Sequence, residues 1–496
     1  AALESLHNPA TQDDLDPQAP ARRRLAYDEL LAHQLALAER RRMQKRAAAP
    51  RILASAATTA VQHALPFTLT SAQARALADI RADFARGERM TRLLQGDVGS
   101  GKTAVALLAV ADVAASGCQA ALMAPTEILA RQHAEALEGP LAAQGLRAAL
   151  FTGRLRGAAR EAQLSALASG EIKVAIGTQA LIQDDVAFAN LALAIIDEQH
   201  RFGVADRSRL QAKGESVHLL AMSATPIPRT LELTLFGDLD VSRLDEKPPG
   251  RHPVATRAVP MARLAEIEAR LAAAIDRGEQ AFWICPLVSD SELVDLAAAE
   301  ARFEALKRRL GERVGLVHGR LGAAQKDEVM SRFVSGEIAV LVATTVVEVG
   351  VNVPAATIMI IEQAERFGLA QLHQLRGRVG RGSRASSCLL LHDPPLTATA
   401  KNRLDILRRT EDGFEIAERD LDLRGGGDPL GLAQSGFPDY RLADPLAHRD
   451  LIPTAADDAR LILTRDPDLS SPRGQAVQVL KSLFDWRAGG PLDAAG

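Results

Sequence analysis

Short apolar runs alternate with alanine-rich stretches of helical periodicity between about residue 65 and residue 250. This alternation is typical of the βαβ units of a parallel, doubly wound sheet. The predicted strands are Arg92 to Gln95, Gln119 to Pro125, Ala148 to Thr152, Val174 to Gly177, Leu191 to Asp197 and His218 to Met222. Because open α/β sheets bind ligands at the carboxyl ends of their strands, we expect the functional residues there.

A second series of the same kind runs from about residue 254 to residue 393, after a charged stretch with Pro and Gly, residues 245 to 251, that is typical of a linker. Its predicted strands are Ala281 to Leu287, Val314 to Val317, Ala339 to Thr344, Ile358 to Glu362 and Cys388 to His392. Beyond residue 394 the pattern becomes helical, then glycine-rich, then less regular. The chain therefore predicts an α/β fold with two tandem nucleotide-binding-type lobes.

The segment from residue 22 to residue 51 carries nine basic residues against three acidic ones. Leu30, Leu31, Leu35 and Ala38 recur there at helical spacing, so we expect an amphipathic helix with a basic exposed face. Two interpretations of that face are compatible: it packs on a later lobe, or it contacts DNA phosphates.

Composition excludes several classes of protein. The 496 residues carry a net charge of -3, with 47% hydrophobic and 24% charged residues, as in a globular chain of about three domains. Three Cys cannot form a disulfide framework or a CxxC zinc site, which fits a reducing compartment. No apolar run is long enough to span a membrane, and residues 1–16 have neither the basic nor the apolar region of a signal peptide. The sequence begins with Ala1 rather than Met, so we expect a processed chain or a fragment.

The sequence GDVGSGKT follows the first predicted strand and precedes a predicted helix, Ala104 to Ala115, and it fits the phosphate-binding pattern GxxxxGK[ST]. Glycines let backbone N–H groups turn toward phosphate oxygens, Lys102 can reach the β and γ phosphates, and the Thr103 hydroxyl can ligate Mg²⁺. The residues expected to hold the nucleotide are Gly96, Asp97, Val98, Gly99, Ser100, Gly101, Lys102 and Thr103.

Asp197 and Glu198 end an apolar strand about ninety residues after this loop. An acidic pair alone is usually solvated surface, but at this position we expect Asp197 to hold Mg²⁺ and Glu198 to orient and deprotonate the attacking water. The run QLRGRVGR, residues 374 to 381, carries arginines that could reach the γ phosphate from the second lobe. Alternatively, this run is a basic loop that binds nucleic acid.

Seven motifs stand in a fixed order along the chain. They are Gln73, GDVGSGKT (96–103), APTEILARQH (124–133), DEQHRFGV (197–204), SATPIPRTL (223–231), TTVVEVGVNVP (344–354) and QLRGRVGRG (374–382). From about residue 65 to about residue 440 the chain thus resembles the superfamily-two helicases, and within them the RecG family of ATP-dependent branched-DNA helicases. Residues 412–425 and 434–436 are similar to the helical hairpin that this family shares with the transcription-repair coupling factor, although Gly426 and Asp428 replace its usual Pro and Glu.

The resemblance implies two RecA-like lobes and a C-terminal helical hairpin. The implied domains are a helical connector over residues 1–64, an ATP-binding lobe over 65–250, a second lobe over 251–400, and the hairpin with an accessory segment over 401–496. Members of the family carry an N-terminal wedge domain at the branch point, and nothing here has the β pattern of that domain. We therefore expect this chain to be the motor portion of a larger protein.

The resemblance also implies the cofactors ATP and Mg²⁺, with Gln73 reading the adenine and Phe67 stacking on it. Lys102 would hold phosphate and Thr103 the metal ion. Asp197 would also hold the metal, and Glu198 would position the water. Arg378 and Arg381 would act from the second lobe. Thr126, Thr178 and Thr345 would contact the DNA backbone. For these threonines, capping of the strand ends is a nearly equal alternative. Arg424 and Gln434 would couple the hairpin to the lobes.

The function that follows is an ATP-dependent translocase of double-stranded DNA that remodels stalled forks and Holliday junctions in recombination and repair. The expected partners are double-stranded and branched DNA and a single-strand-binding protein, for a monomer on DNA in the bacterial cytoplasm near the nucleoid. Alternatives are a coupling-factor type translocase, whose polymerase-binding β module is not seen before residue 65, and a DNA-binding scaffold that no longer hydrolyses ATP. A zinc-bearing primosomal helicase and an RNA helicase of the DEAD type fit the motifs less well.

Overall fold

Two parallel sheets, each flanked by helices, form the body of the molecule, and a helical region follows them. This arrangement confirms the predicted α/β fold with two RecA-like lobes. The computed structural model describes residues 2–45, 47–235, 237–250, 252–286, 292–344, 353, 355–382, 384–424, 438 and 440–486.

The first lobe holds a seven-stranded sheet within the described residues, in the order β3-β4-β2-β5-β6-β1-β7, with all neighbours parallel. Its strands are β1 (Thr91–Gly96), β2 (Gln119–Met123), β3 (Ala148–Phe151), β4 (Val174–Gly177), β5 (Leu191–Ile196), β6 (His218–Ser223) and β7 (Asp240–Leu244). Every residue of β1, β2, β4, β5 and β6 is buried, as expected for a parallel sheet with helices on both faces.

The second lobe holds a six-stranded sheet within the described residues, in the order β10-β11-β9-β12-β13-β8, again all parallel. Its strands are β8 (Val254–Pro260), β9 (Gln280–Ile284), β10 (Val314–Val317), β11 (Val340–Ala343), β12 (Ala356–Ile361) and β13 (Ser386–His392). The central strand β9 carries Trp283, which is fully buried.

The helices cover both faces of each sheet and build the two ends of the chain. In chain order they are α1 (Ala2–His7), α2 (Pro20–Lys45), α3 (Ala56–His63), α4 (Ser71–Arg86), α5 (Lys102–Ala115), α6 (Glu127–Ala142), α7 (Gly157–Ala168), α8 (Val204–Gln211), α9 (Arg229–Leu235), α10 (Leu264–Asp276), α11 (Glu292–Leu310), α12 (Ala323–Val334), α13 (Leu369–Arg376), α14 (Ala398–Arg409), α15 (Gly413–Arg424), α16 (Leu451–Arg465) and α17 (Pro472–Leu483). Over the part of the chain that the structure describes, no helix is long and apolar enough to cross a membrane.

The pattern of apolar runs did not predict strands β7 and β8, and both lie at the edge of a sheet. Three residues of β7 and six of β8 are only partly buried or exposed, so neither strand carries the continuous apolar run of a central strand. The two strands also flank the predicted linker, with β7 ending before it and β8 beginning after it. The charged stretch therefore lies between the last strand of the first sheet and the first strand of the second.

Helix α2 confirms the predicted amphipathic helix, but its apolar face packs on helices at the other end of the chain. Leu30 and Leu35 are fully buried in a cluster with Ile452 and Ala459 of α16. Its arginines bind carboxylates of the folded chain. The ion pairs join Arg23 to Asp450, Arg40 to Asp238, Arg41 to Asp240 and Arg42 to Asp468. This part of the basic face is thus engaged within the protein itself.

The C-terminal region divides between the two lobes. Leu404 and Leu407 of α14 and Ile416 of α15 belong to the hydrophobic core of the second lobe. Residues 440–486 instead pack on α2, which contacts the first lobe through Gln34 Nε2, a donor to the Leu233 carbonyl at 3.0 Å. The segment after residue 401 therefore forms two attachments.

Candidate active site between the two lobes

The phosphate-binding loop connects β1, which ends at Gly96, to α5, which begins at Lys102. Gly101 has a φ of +85°, in the left-handed region that favours glycine. A Cβ on Gly101 would also lie 2.1 Å from Gln73 Nε2, so a larger residue there would displace the Gln73 amide. The loop thus has the strand, turn and helix context that its sequence predicted.

Lys102 lies along the inside of this loop. Its Nζ donates to the carbonyl oxygens of Gly96 at 2.7 Å and Asp97 at 3.0 Å. Burial lowers the pKa of Lys102, while the charges of Glu198 and Asp197 act in the opposite direction. The ammonium is therefore held at the loop with two carboxylates close enough to influence it.

Gln73 supports the loop from the start of α4. Its Oε1 accepts from the Thr70 N–H at 3.0 Å, its own N–H is capped by Thr70 Oγ1 at 3.2 Å, and its Nε2 donates to the Ser100 carbonyl at 2.8 Å. These contacts occupy both ends of the amide. That Gln73 reads adenine stays a prediction. Stacking of Phe67 on the adenine also stays a prediction; this side chain is 49% exposed and lines a cleft together with residues of the phosphate-binding loop.

The acidic pair follows β5, as predicted. Asp197 Oδ2 accepts a hydrogen bond from His133 Nε2 at 2.7 Å, and Oδ1 accepts one from the Glu198 N–H at 3.0 Å. Burial alone would raise the pKa of Asp197, but the hydrogen bond from His133 and the charge of Lys102 outweigh it and lower this pKa. Asp197 is therefore held as a carboxylate, the form that binds a metal ion.

Glu198 has the left-handed backbone conformation, with a φ of 51°. A non-glycine residue in this region carries a conformational cost of about 1–3 kcal/mol, and such residues cluster at active sites. Its Oε2 accepts a long hydrogen bond, 3.4 Å, from the N–H of Ala224. The motif Ser223-Ala224-Thr225 thus contacts the expected catalytic base directly.

The second lobe closes the cleft from the opposite side. Gly377 packs so tightly on the loop that a Cβ there would lie 2.9 Å from Val98 Cβ. One cleft of about 1080 Å³ contains side chains from both lobes. Its lining includes Phe67, Val98, Gly99, Gly101, Lys102, Thr103, Asp197, Glu198, Arg378 and Arg381. The structure therefore brings the predicted catalytic residues of both lobes together.

A histidine and an aspartate also join the lobes. His373 Nε2 of α13 contacts Asp97 Oδ1 of the phosphate loop at 2.7 Å. Burial alone would raise the pKa of Asp97, but the hydrogen bond from His373 outweighs it, so this pKa is lowered. Sequence reasoning assigned no role to His133 or His373. The one available signal was that His133 ends a quoted motif and His373 immediately precedes another.

Two of the expected DNA contacts, Thr126 and Thr178, lie after β2 and β4, on the side of the first sheet away from β1. Thr126 follows β2 and accepts from the Leu129 N–H at 3.4 Å, and Thr178 follows β4 and accepts from the Ala180 N–H at 3.5 Å. Both hydroxyls therefore cap the segments after their strands. Capping uses only an oxygen lone pair, so the hydroxyl proton remains able to donate to a phosphate.

The remaining predictions fall outside what the structure describes. Thr345 and Gln434 lie outside the described residues, as do Gly426 and Asp428. Arg424 ends α15, but its side chain is also outside the described part. The assigned roles of these residues stay predictions.

A phosphate loop in one lobe and two arginines of the other, facing each other across one cleft, define a nucleotide-driven motor of the superfamily-two helicase class. Models of known families agree with this class. Residues 70–234 match the DEAD/DEAH box helicase family, and residues 264–383 match the helicase conserved C-terminal domain. Residues 410–487 match the family described as ATP-dependent DNA helicase RecG, domain 3, C-terminal.

Curated relatives extend over nearly the whole chain. The ATP-dependent DNA helicase RecG of Escherichia coli K12 is 50% identical over 477 residues, which are 94% of this chain and 69% of that protein. Its counterpart in Bacillus subtilis strain 168 is 46% identical, over 97% of this chain and 71% of that protein. The chain belongs to the RecG family of ATP-dependent DNA helicases. The family and the ATP-dependent helicase activity that the motifs predicted are thereby confirmed.

Solved structures agree with this assignment. A RecG protein bound to a three-way DNA junction superposes with a TM-score of 0.76 at 43% identity, covering 92% of this chain and 59% of that chain. S. cerevisiae Dbp5 bound to RNA and ADP BeF3 gives a TM-score of 0.52 at 16% identity, which shows the fold alone. The chain therefore spans a little under three fifths of the solved RecG chain.

Proposed function

We propose that this chain is a motor that hydrolyses ATP with Mg²⁺, moves along double-stranded DNA, and thereby remodels branched DNA. The observation that carries the proposal is the single cleft in which Lys102 and Glu198 of one lobe face Arg378 and Arg381 of the other. A site divided between two lobes works only when they close. Each cycle of binding and hydrolysis is therefore coupled to a movement of one lobe against the other.

The residues present fit a magnesium ion. Mg²⁺ prefers oxygen ligands and is usually held by one or two carboxylates together with substrate phosphates. Asp197 supplies a carboxylate, and Thr103 at the first turn of α5 supplies a hydroxyl on the same cleft. When bound, the ion would neutralise phosphate charge. Asp197 and Thr103 would hold it, and His133 would keep the Asp197 carboxylate oriented through the 2.7 Å hydrogen bond.

The chemistry then rests on three kinds of group. The backbone N–H groups of the loop and Lys102 bind the phosphates, and Glu198 orients and deprotonates the attacking water. Arg378 and Arg381 stabilise the charge that develops on the γ phosphate. Because both arginines come from the second lobe, closure of the cleft and completion of the site are one event.

DNA would lie across the part of the first sheet that does not bind nucleotide. The nucleotide residues follow β1 and β5, whereas Thr126 and Thr178 follow the neighbouring strands β2 and β4. Hydroxyl and backbone donors address phosphates and carry no sequence information. We therefore expect binding that is insensitive to sequence and that weakens steeply with salt.

Branched DNA is the substrate that the RecG comparison supports. The solved relative is bound to a three-way junction, and the present chain covers 59% of that relative's chain. We assign to the 496 residues the movement on duplex DNA, and we propose that splitting of the arms depends on a wedge domain of the kind that the family carries. We further propose that the motor acts as a monomer and that a single-strand-binding protein is a candidate partner.

The test compares the ATPase rate of this chain with a fork and with linear duplex of equal length. We expect the ATPase rates with the two DNAs to lie within about threefold of each other, which corresponds to a barrier difference of about 0.7 kcal/mol. We also expect fork unwinding to be weak. The variant Lys102→Ala supplies the background rate. Hydrolysis that no DNA stimulates would refute the motor, and no hydrolysis above the Lys102→Ala background would favour the scaffold. Fork regression equal to that of a longer RecG protein would place branch recognition within this chain.

A further inference from the structure

Asp97 and His373 join the two lobes at the phosphate loop itself. The hydrogen bond between Asp97 Oδ1 and His373 Nε2 measures 2.7 Å, and the two side chains are 16% and 6% exposed. It lies between the nucleotide loop and α13, the helix that directly precedes the arginines. A change in the position of this loop is therefore transmitted to α13 by a hydrogen bond that little water reaches.

The second nitrogen of His373 makes the next contact. Arg376 Nη2 lies 2.9 Å from His373 Nδ1. A guanidinium can only donate hydrogen bonds, so Nδ1 must accept and the ring proton must lie on Nε2. Nε2 therefore donates to the Asp97 carboxylate. The imidazole connects the carboxylate on one side with the guanidinium on the other.

Arg376 carries the connection into the C-terminal region. Its Nη1 donates to the carbonyl oxygens of Leu407 at 2.6 Å and Thr410 at 2.9 Å. These carbonyls lie at the end of α14, where backbone acceptors have no partner within the helix. The buried guanidinium therefore fixes the point from which α15 begins three residues later.

The first residue of α15 sits directly on this connection. A Cβ on Gly413 would lie 2.7 Å from Pro226 Cγ, 2.8 Å from His373 Nε2 and 3.0 Å from Asp97 Cγ. Farther along, a cavity of about 280 Å³ separates Ala417 and Leu421 of α15 from the first lobe. On the side that faces the first lobe, the helix is thus tightly packed at its first residue and borders a cavity at Ala417 and Leu421.

We propose that His373 is a positioning residue that couples the phosphate loop to α15. Movement of Asp97 when nucleotide binds or leaves is passed through His373 and Arg376 to the end of α14, and from there to α15. This inference rests on the proposed movement along duplex DNA. It concerns the work obtained from each ATP rather than the hydrolysis itself.

The experiment measures how much third strand this chain displaces from a DNA triplex per ATP hydrolysed. His373→Leu removes both hydrogen bonds, whereas His373→Gln offers an N–H donor and a carbonyl acceptor at a similar spacing. We expect displacement per ATP to fall about tenfold or more in His373→Leu, the equivalent of one lost hydrogen bond to a charged group. We expect His373→Gln to recover most of it. An unchanged ratio in His373→Leu, even with slower hydrolysis, would overturn the coupling role.

A glycine pair tests the same inference without substituting His373. Gly413→Ala inserts a methyl group into the contact, and Gly139→Ala in α6 is the matched control, because a Cβ there meets no atom within 4 Å. We expect Gly413→Ala to lower displacement per ATP and Gly139→Ala to leave it unchanged. Equal effects of the two would refute the proposal. If the unsubstituted chain displaces no triplex, the proposed function fails, and the DNA-stimulated over basal ATPase ratio of the same variants still tests the coupling.

Discussion

Glu29 holds the two ends of the chain together, and its removal should release the C-terminal helices. The residue is 1% exposed, in the middle of α2. Its Oε1 accepts from the N–H of Arg441 at 2.7 Å, and its Oε2 accepts from the N–H groups of Leu442 and Ala443 at 2.8 Å each. A single carboxylate thus accepts hydrogen bonds from the backbone N–H groups of three consecutive residues.

The magnitude follows from these three contacts. In Glu29→Ala the N–H groups lose their acceptor, and an unsatisfied buried group costs about 1–3 kcal/mol. Partial access of water reduces the sum, so we expect about 3 kcal/mol or more, which raises the population of the detached C-terminal unit about 10²-fold. Glu29→Gln keeps one acceptor oxygen but turns an amide donor toward the remaining N–H groups. Its loss of stability should therefore lie between that of Glu29→Ala and that of the unsubstituted chain.

Hydrogen exchange of residues 440–486 measures this opening without assuming two-state unfolding of the whole chain. The matched control on the same helix is Glu39→Ala, which removes an ion pair with Lys481 that remains partly accessible to solvent. We expect that change to cost about 1 kcal/mol or less. If hydrogen exchange of residues 440–486 rises no more in Glu29→Ala than in Glu39→Ala, the contacts of Glu29 do not hold the C-terminal unit.

Two further predictions concern the cleft. In Glu198→Gln, ATP should bind normally while its hydrolysis falls about 10²- to 10⁴-fold, because size and hydrogen bonding remain but the base is lost; weak nucleotide binding in a filter assay would instead make Glu198 a structural residue. In Arg381→Ala, turnover should fall about 10³-fold if the arginine stabilises the γ phosphate in the transition state. Lost DNA affinity with normal basal turnover would assign Arg381 to the DNA path.

Residues that act through local sequence were predicted well. The phosphate loop needs glycines between a strand and a helix, and that requirement is visible in eight consecutive letters. Strands such as β5 were found because a fully buried parallel strand is a continuous apolar run. The acidic pair was then placed correctly, since it simply follows that strand.

Contacts between distant segments were not predictable in the same way. His133 reaches Asp197 across 64 positions of the chain, and His373 reaches Asp97 across 276. No spacing rule connects such pairs, because the packing of helices on sheets brings them together. The partners of the basic face of α2 could not be predicted for the same reason. Its partners Asp238, Asp240 and Asp450 lie far along the chain, so the sequence showed positive charge without its counterions.

The double attachment of the C-terminal region limits how far the motor can open. Helices α14 and α15 are fixed to one lobe, and residues 440–486 are fixed through α2 to the other. A polypeptide extends at most about 3.5 Å per residue, so the two attachments cannot separate by more than the length of chain that joins them. This length sets an upper limit to the opening of the cleft. Lengthening the chain between the two attachments would raise this limit, with no change to any atom that touches ATP.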